Sequence, residues 1–234
     1  RCVDGRKDWL DLMPCSRNFV LKGMFVLLVA GTTLAGFAHD VDRLLRSVQR
    51  YGREGTSRFH DWRGLLGQLP QIAELDKLRR VNEFFNRRTR FADDSVVWGL
   101  ADYWSTPLEF LGRGAGDCED YAIAKYFSLV EAGVERSKLR LIYVKAVIGL
   151  PESGISQAHM VLGYYARPGA EPLVLDSLIT EIRPAAKRPD LKPVFSFNGE
   201  GVWSPGADRP TTPVERLSRW TELISRMRAE GFEP

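Results

Sequence analysis

Apolar residues recur at spacings of three and four between residues 40 and 90, then at a spacing of two beyond Gly133. Leu44, Leu45 and Val48 share one helical face, and Leu75, Leu78, Val81 and Phe84/Phe85 repeat the pattern further along. Residues 98–116 are aromatic and turn-rich, with Thr106-Pro107 and several glycines, and they deliver the chain to Asp117. A helix is expected over 117–132, with Asp117 as N-cap, Ile123, Phe127 and Val130 on its inner face, and Gly133 as its stop. Period-two patterning then predicts strands over 139–148, 159–166 and 173–176, separated by turns at 151–154 and 168–172. Residues 184–208 read as irregular. Thr212-Pro213-Val214-Glu215 has the form of a capping box, opening a last helix with Leu217, Trp220, Ile224 and Met227 on its apolar stripe and Gly231 at its end. Helices come first and an antiparallel sheet follows, which predicts an α+β domain: a helical lobe over about 39–133, a sheet lobe over about 134–208 and a C-terminal helix over about 213–230.

The start of the chain follows a different pattern. Lys22 is the one charge between residues 19 and 38, and sixteen uncharged residues begin at Gly23. Arg17 and Lys22 precede this run, and Gly36-Phe37-Ala38 supplies small residues for cleavage. Residues 1–38 thus read as a leader, either a secretory signal peptide or a signal anchor, and the run falls short of the roughly 20 residues of a spanning helix. The working domain, 39–234, is expected to be exported, touching a membrane only through an uncleaved leader. The whole chain carries 33 basic and 30 acidic residues; without the five and three in the leader, the balance is 28 to 27. No net field favours nucleic acid. The arginines at 79, 80, 87, 88 and 90 alternate with Glu74, Asp76 and Glu83, as on a solvated helix face.

Cys2 and Cys15 lie in the leader, so Cys118 is the single thiol of the exported part. It cannot belong to an internal disulfide there, and its value is either packing or reactivity. It stands where a glycine-rich turn feeds a helix, and the orphan N–H groups and positive dipole end of a helix start favour a thiolate. A thiolate nucleophile needs a base, and the base an orienting group. Of the three histidines, His39 stands at the presumed new N-terminus and His60 near the start of an early helix. His159 opens an apolar strand and is the candidate base. Asp176, after Leu173-Val174-Leu175, is the candidate third member. A turn at 167–170 makes paired positions sum to 337, so Asp176 faces Val161 and lies diagonal to His159. Asp117, Glu119 and Asp120 oppose the thiolate by like charge. They are either capping residues at a helix start or, with an oxygen contribution from Asp93, Asp94, backbone or water, ligands of a calcium ion.

Gly116-Asp117-Cys118-Glu119-Asp120-Tyr121-Ala122-Ile123-Ala124-Lys125-Tyr126, preceded by Asp102-Tyr103-Trp104-Ser105-Thr106-Pro107, resembles the bacterial transglutaminase-like cysteine proteinases, the LapG family. Gln157-Ala158-His159-Met160-Val161-Leu162 and Val174-Leu175-Asp176-Ser177 are similar to its other two catalytic segments. The resemblance implies a papain-like, transglutaminase-type fold with Cys118, His159 and Asp176 as triad. It also implies a periplasmic protease that needs calcium at Asp117, Glu119 and Asp120. Its implied substrate is the N-terminal region of a large surface adhesin, cut at paired alanines to disperse a biofilm, and its implied regulator an inner-membrane LapD-type receptor that reads cyclic-di-GMP. Two other classes share features of the sequence: a transglutaminase or peptidoglycan amidase with the same triad order, and a non-catalytic calcium-dependent binding module.

Overall fold

The computed structural model describes residues 40–147, 149 and 154–234, and the leader expected over 1–38 lies outside them. Among the described residues no helix is long and apolar enough to cross a membrane. Three helices come first: α1 (Val41–Gln49), α2 (Gly52–Gln68) and α3 (Glu74–Arg88). Leu44, Val48, Leu78, Val81 and Phe85 of the predicted stripes are buried, with Phe59 and Trp62 of α2, while Leu45 and Phe84 are half-buried and Leu75 is exposed at the start of α3. His60 is exposed in the middle of α2 rather than near its start.

A short helix, α4 (Asp94–Val97), precedes the stretch read as turn-rich, and that stretch contains a further helix, α5 (Pro107–Arg113). Thr106 caps α5 with a complete capping box: its hydroxyl accepts from the Glu109 N–H, and Glu109 reaches back to the Thr106 N–H. The similar Thr212-Pro213-Val214-Glu215 does not do this. It leads into one turn of 3₁₀ helix at Val214–Arg216, and the last helix, α7 (Ser218–Glu230), starts only at Ser218. Thr212 is engaged elsewhere, bridging to Val202 through the backbone.

Helix α6 (Cys118–Glu131) is the spine of the molecule. Eleven consecutive residues, from Asp120 to Val130, are buried, so it is a central helix covered on all sides rather than one with a single inner face. α3 and α5 pack on one side, and strands β3 (Leu139–Val147) and β4 (Ser156–Tyr164) on the other. Buried polar groups fix it in place: Trp62 Nε1 donates to Ser128 Oγ at 2.8 Å, and Lys77 Nζ donates to the terminal Ala132 carbonyl at 2.7 Å. Gly133, at φ +81°, ends the helix where an L side chain would be strained.

The sheet is antiparallel with strand order β6-β5-β4-β3-β7-β8. Beyond β3 and β4 it comprises β5 (Leu173–Leu175), β6 (Arg183–Pro184), β7 (Leu191–Asn198) and β8 (Gly201–Trp203). The last three lie in or beside the stretch read as irregular. β7 escapes the period-two pattern because Pro193 sits inside it and a bulge between the partners of Tyr143 and Val144 breaks the alternation. Between β4 and β5 the register is Leu162↔Leu175, Gly163↔Val174 and Tyr164↔Leu173, so the pairing does sum to 337. The Ala170 N–H closes the intervening turn on the Arg167 carbonyl at 3.0 Å, with Gly169 at φ +71°. The architecture is α+β, a helical N-terminal part and a C-terminal antiparallel sheet.

The two Thr-Pro boxes give a direct test. Thr106→Ala should lower unfolding free energy by about 1–2 kcal/mol in urea, because a buried cap is lost, whereas Thr212→Ala should cost a few tenths.

Candidate active site

One end of α6 gathers carboxylates from three directions. A short parallel ladder, β1 (Arg90–Phe91) with β2 (Ala115–Gly116), lays the segment before α4 beside the start of α6. The Ala92 N–H donates to the Gly116 carbonyl at 2.9 Å. Two residues later Asp94 is buried, while Asp93 stays exposed. Asp120, in the first turn of α6, is fully buried, and its Oδ1 accepts from the Ser105 N–H at 2.8 Å and hydroxyl at 2.7 Å. This inward placement requires Gly116: a Cβ there would stand 2.2 Å from Asp120 Oδ2 and 2.9 Å from Asp120 Cβ. Asp117 occupies the N-cap place of α6, but its side chain makes no capping hydrogen bond.

Donor atoms of Asp94, Asp117 and Asp120 lie within 4.8 Å of one another, and so do those of Asp94, Asp102 and Glu119, and of Asp117, Cys118 and Glu119. Three carboxylate oxygens in this group, Asp94 Oδ1, Asp117 Oδ1 and Asp120 Oδ2, are buried without a hydrogen-bond partner. Burial and mutual repulsion hold all three acids well above the carboxylate range. Asp94 is pushed up to about 6, chiefly by desolvation; Asp117 to about 9, by desolvation and then the charges of Glu119 and Asp120; Asp120 to about 8, by desolvation against the Ser105 hydrogen bonds. Orphaned buried oxygens in an all-carboxylate set fit a hard divalent cation better than capping, which would have left Asp117 hydrogen-bonded. Of the three acids singled out in the sequence, Asp117 and Asp120 group with Asp94, and Glu119 groups with Asp94 and Asp102.

Cys118 is the first residue of α6, only partly exposed. Its sulfur donates to Glu119 Oε2 at 3.0 Å. Burial pushes the thiol pKa up, and the charges of Glu119 and Asp117 push it further. Among the described residues no hydrogen bond joins Cys118 to His159.

The other half of the site lies on β4 and just past β5. His159 pairs with Val144, and Asp176 continues the face of Val174, so both belong to the sheet face of Val161. His159 Nε2 is 2.8 Å from Asp176 Oδ1, both side chains fully buried. Burial alone would raise the Asp176 pKa, but His159, the Leu178 N–H and Arg188 hold it down at about 2. An ionised carboxylate only accepts, so Nε2 donates to Asp176, and Nδ1 is the ring nitrogen that Asp176 leaves free. Arg188 Nη2 stands 2.8 Å from Asp176 Oδ2 as an ion pair, and Asn86 Nδ2 and Lys125 Nζ grip the Asp176 carbonyl at 2.9 and 3.0 Å. Arg188 and Asn86 carry no local signal in the sequence, because each reaches the site through tertiary contacts alone, whereas Asp102 opens the Asp102–Pro107 segment of the family resemblance without standing out there as an oxygen donor.

The family model described as bacterial transglutaminase-like cysteine proteinase BTLCP matches residues 68–189, more than half of the chain, including every site residue above. Legionella pneumophila LapG is 40% identical over 80% of this chain and 97% of its own, with a TM-score of 0.68. Its EGTA-treated form matches with the same identity and coverage at 0.70, and its calcium-bound form at 39% identity, 80% and 98% coverage and 0.69. No curated protein matches the chain significantly.

The raised acids have a consequence for metal-free protein. The folded state keeps protons that the unfolded chain, with carboxylates near about 4, has already released. Stability should therefore fall as pH rises from about 5 to about 9 in chelator, read as a declining Tm. A Tm that climbs with pH over that window would contradict the crowding of these carboxylates.

Proposed function

The chain belongs to the bacterial transglutaminase-like cysteine proteinases, and on that premise we propose that it is a calcium-dependent thiol endopeptidase with Cys118 as nucleophile, His159 as base and Asp176 as its orienting acid. The observation that carries this reading is the buried His159–Asp176 pair, which engages Nε2 and leaves Nδ1 free of Asp176.

In this mechanism His159 Nδ1 takes the thiol proton, and the sulfur attacks the scissile carbonyl carbon. The imidazolium, stabilised by Asp176, returns the proton to the leaving amine as the C–N bond breaks. Water, activated by the same imidazole, then hydrolyses the thioester. The Cys118 N–H, unbonded within the helix at its first position, is one donor for the oxyanion.

The acid-rich half of the site supports the calcium part. Asp94, Asp102, Asp117, Glu119 and Asp120 would hold the ion, whose charge offsets theirs and lowers the thiol pKa when it is bound. Glu119 has two competing partners, since its carboxylate accepts from the thiol and also lies beside Asp94 and Asp102. While Glu119 holds the thiol proton, Cys118 is a poor nucleophile. Drawing Glu119 toward the other carboxylates frees the sulfur for His159. Likeness to the calcium-bound and EGTA-treated forms of LapG supports the same choice of ion.

The resemblance to the LapG family extends the proposal to the working context: a periplasmic enzyme that cuts the N-terminal region of a large adhesin at paired alanines, restrained by a LapD-type cyclic-di-GMP receptor. Incubation with an adhesin N-terminal fragment, resolved on a gel, tests the activity. Cys118→Ala and His159→Ala should abolish cleavage, and EGTA should suppress the wild type. Cleavage by Cys118→Ala would overturn the thiol mechanism and leave the binding-module reading standing. Calorimetric titration tests the ion separately: Glu119→Ala and Gly116→Ala should each weaken calcium binding by about tenfold or more. Calcium at about 100 times its dissociation constant should stabilise the wild type by about 2.7 kcal/mol.

A further inference from the structure

Asp176 is held at Oδ1 and at its carbonyl by hydrogen bonds and at Oδ2 by an ion pair alone, and the cation of that ion pair is one that the triad reading does not use. Arg188 follows the 3₁₀ turn Ala185–Lys187. β6 pairs with β5 (Leu173↔Pro184), and the Ala185 N–H donates to the Pro172 carbonyl at 2.9 Å, which brings this turn alongside the strand that ends in Asp176. The guanidinium is 3% exposed and lies between two carboxylates. Nη2 is 2.8 Å from Asp176 Oδ2 on one side. On the other, Nε donates to Asp190 Oδ1 at 3.0 Å and Nη2 to Asp190 Oδ2 at 2.7 Å, and Asp190 is 39% exposed. The result is one row, His159–Asp176–Arg188–Asp190, buried except at Asp190 and of alternating charge when the imidazole is protonated.

We infer that Arg188 is a positioning residue of the proposed triad, fixing the Asp176 carboxylate so that Oδ1 meets His159, with Asp190 on its far edge setting how much of its charge the imidazole feels. The inference rests on the reading of His159 as base and Asp176 as its partner. A guanidinium does not lose its proton in a protein, so its contribution is constant at every working pH. It keeps Asp176 ionised and stops the carboxylate from rotating. Its charge also opposes the imidazolium, and Asp190 partly cancels that opposition. The pair thus tunes His159 in opposite directions: Arg188 lowers its basicity and Asp190 restores it.

The other titratable group bordering the pair is Lys125 from α6, whose Nζ donates to the Asp176 carbonyl at 3.0 Å and whose pKa burial lowers to about 7, so its titration is followed beside that of His159. Lys145, exposed on β3 next to Val144, projects from the opposite sheet face, and Cys118 and Glu119 lie at the start of α6.

The test is the imidazole titration of His159, followed by NMR on isotopically labelled histidine in the full chain with calcium present, so that the acidic cluster holds one charge state. Arg188→Met should raise the His159 pKa by about one unit, because a nearby positive charge is lost. Asp190→Asn should lower it, by less, and Arg188→Lys should return it toward the wild-type value. A purely structural role for Arg188 produces no such pair of opposite shifts. Should Arg188→Met fail to fold, the Asp190→Asn and Arg188→Lys shifts decide the matter, since Asp190 is half in solvent. Asp176→Asn is the control on the underlying reading and should lower the His159 pKa. If Asp176→Asn moves His159 while the Arg188 and Asp190 variants leave it unchanged, the inference about Arg188 is wrong and the triad stands. If Asp176→Asn leaves it unchanged as well, the triad reading itself is wrong.

Discussion

Like-charge repulsion at the start of α6 is the constraint around which the site is built. Five carboxylates, from Asp94, Asp102, Asp117, Glu119 and Asp120, converge where the chain also places its one described thiol. Water cannot screen them well, because Asp94 and Asp120 are buried. The helix dipole favours negative charge here by at most about 1–2 kcal/mol, too little to offset several buried anions. Left alone, the cluster keeps protons near neutral pH and drives the neighbouring thiol toward its protonated form. A divalent cation removes both effects at once.

The surrounding fold makes sense as the means of forcing that convergence. The β1–β2 ladder is only two residues long on each side, yet it sets Asp94 against Asp117. The capped helix α5 ends at Gly114, immediately before β2, so its Thr106–Glu109 box anchors one end of the loop that carries Ser105 to Asp120. Gly116 lacks the Cβ that would push Asp120 away. Because α6 is buried along almost its whole length, the repulsion cannot be relieved by tilting the helix, and it remains concentrated at the nucleophile.

How much of this is legible in the sequence depends on whether the signal is local. The nucleophile helix, its Gly133 stop and the β4–β5 register all follow from short-range pattern and turn chemistry, and that register alone brings His159 and Asp176 together. The Thr-Pro-x-Glu box is legible too, but it occurs twice. Only packing shows that the pair at 106 and 109 closes around a buried helix, while Thr212 bridges to Val202 instead. β7 is lost to Pro193 and a bulge, features that erase alternation without preventing pairing. Asp102, Asn86 and Arg188 reach the site from distant segments, and no spacing rule connects them to Cys118 or Asp176. Asp94 is visible as an oxygen donor beside Asp93, but the choice between the two depends on the two-residue ladder that buries one and exposes the other.

The two halves of the site solve their charge problems differently, and this assigns control to one of them. On the His159 side, Asp176, Arg188 and Asp190 form a row whose charges nearly cancel within the chain, so the base is oriented and its partner ionised without outside help. On the Cys118 side one described cation, Arg219, reaches the rim of the cluster, 3.1 Å from the half-exposed Asp102; the buried Asp94 and Asp120 have no such ion pair among the described residues, and Glu119 is left to bond the thiol. On the proposed mechanism the base is therefore prepared in the folded chain, while the nucleophile waits on an ion. Under that proposal a single change at the acidic cluster, which moves Glu119 and relieves the thiol, completes a site whose other half is already assembled.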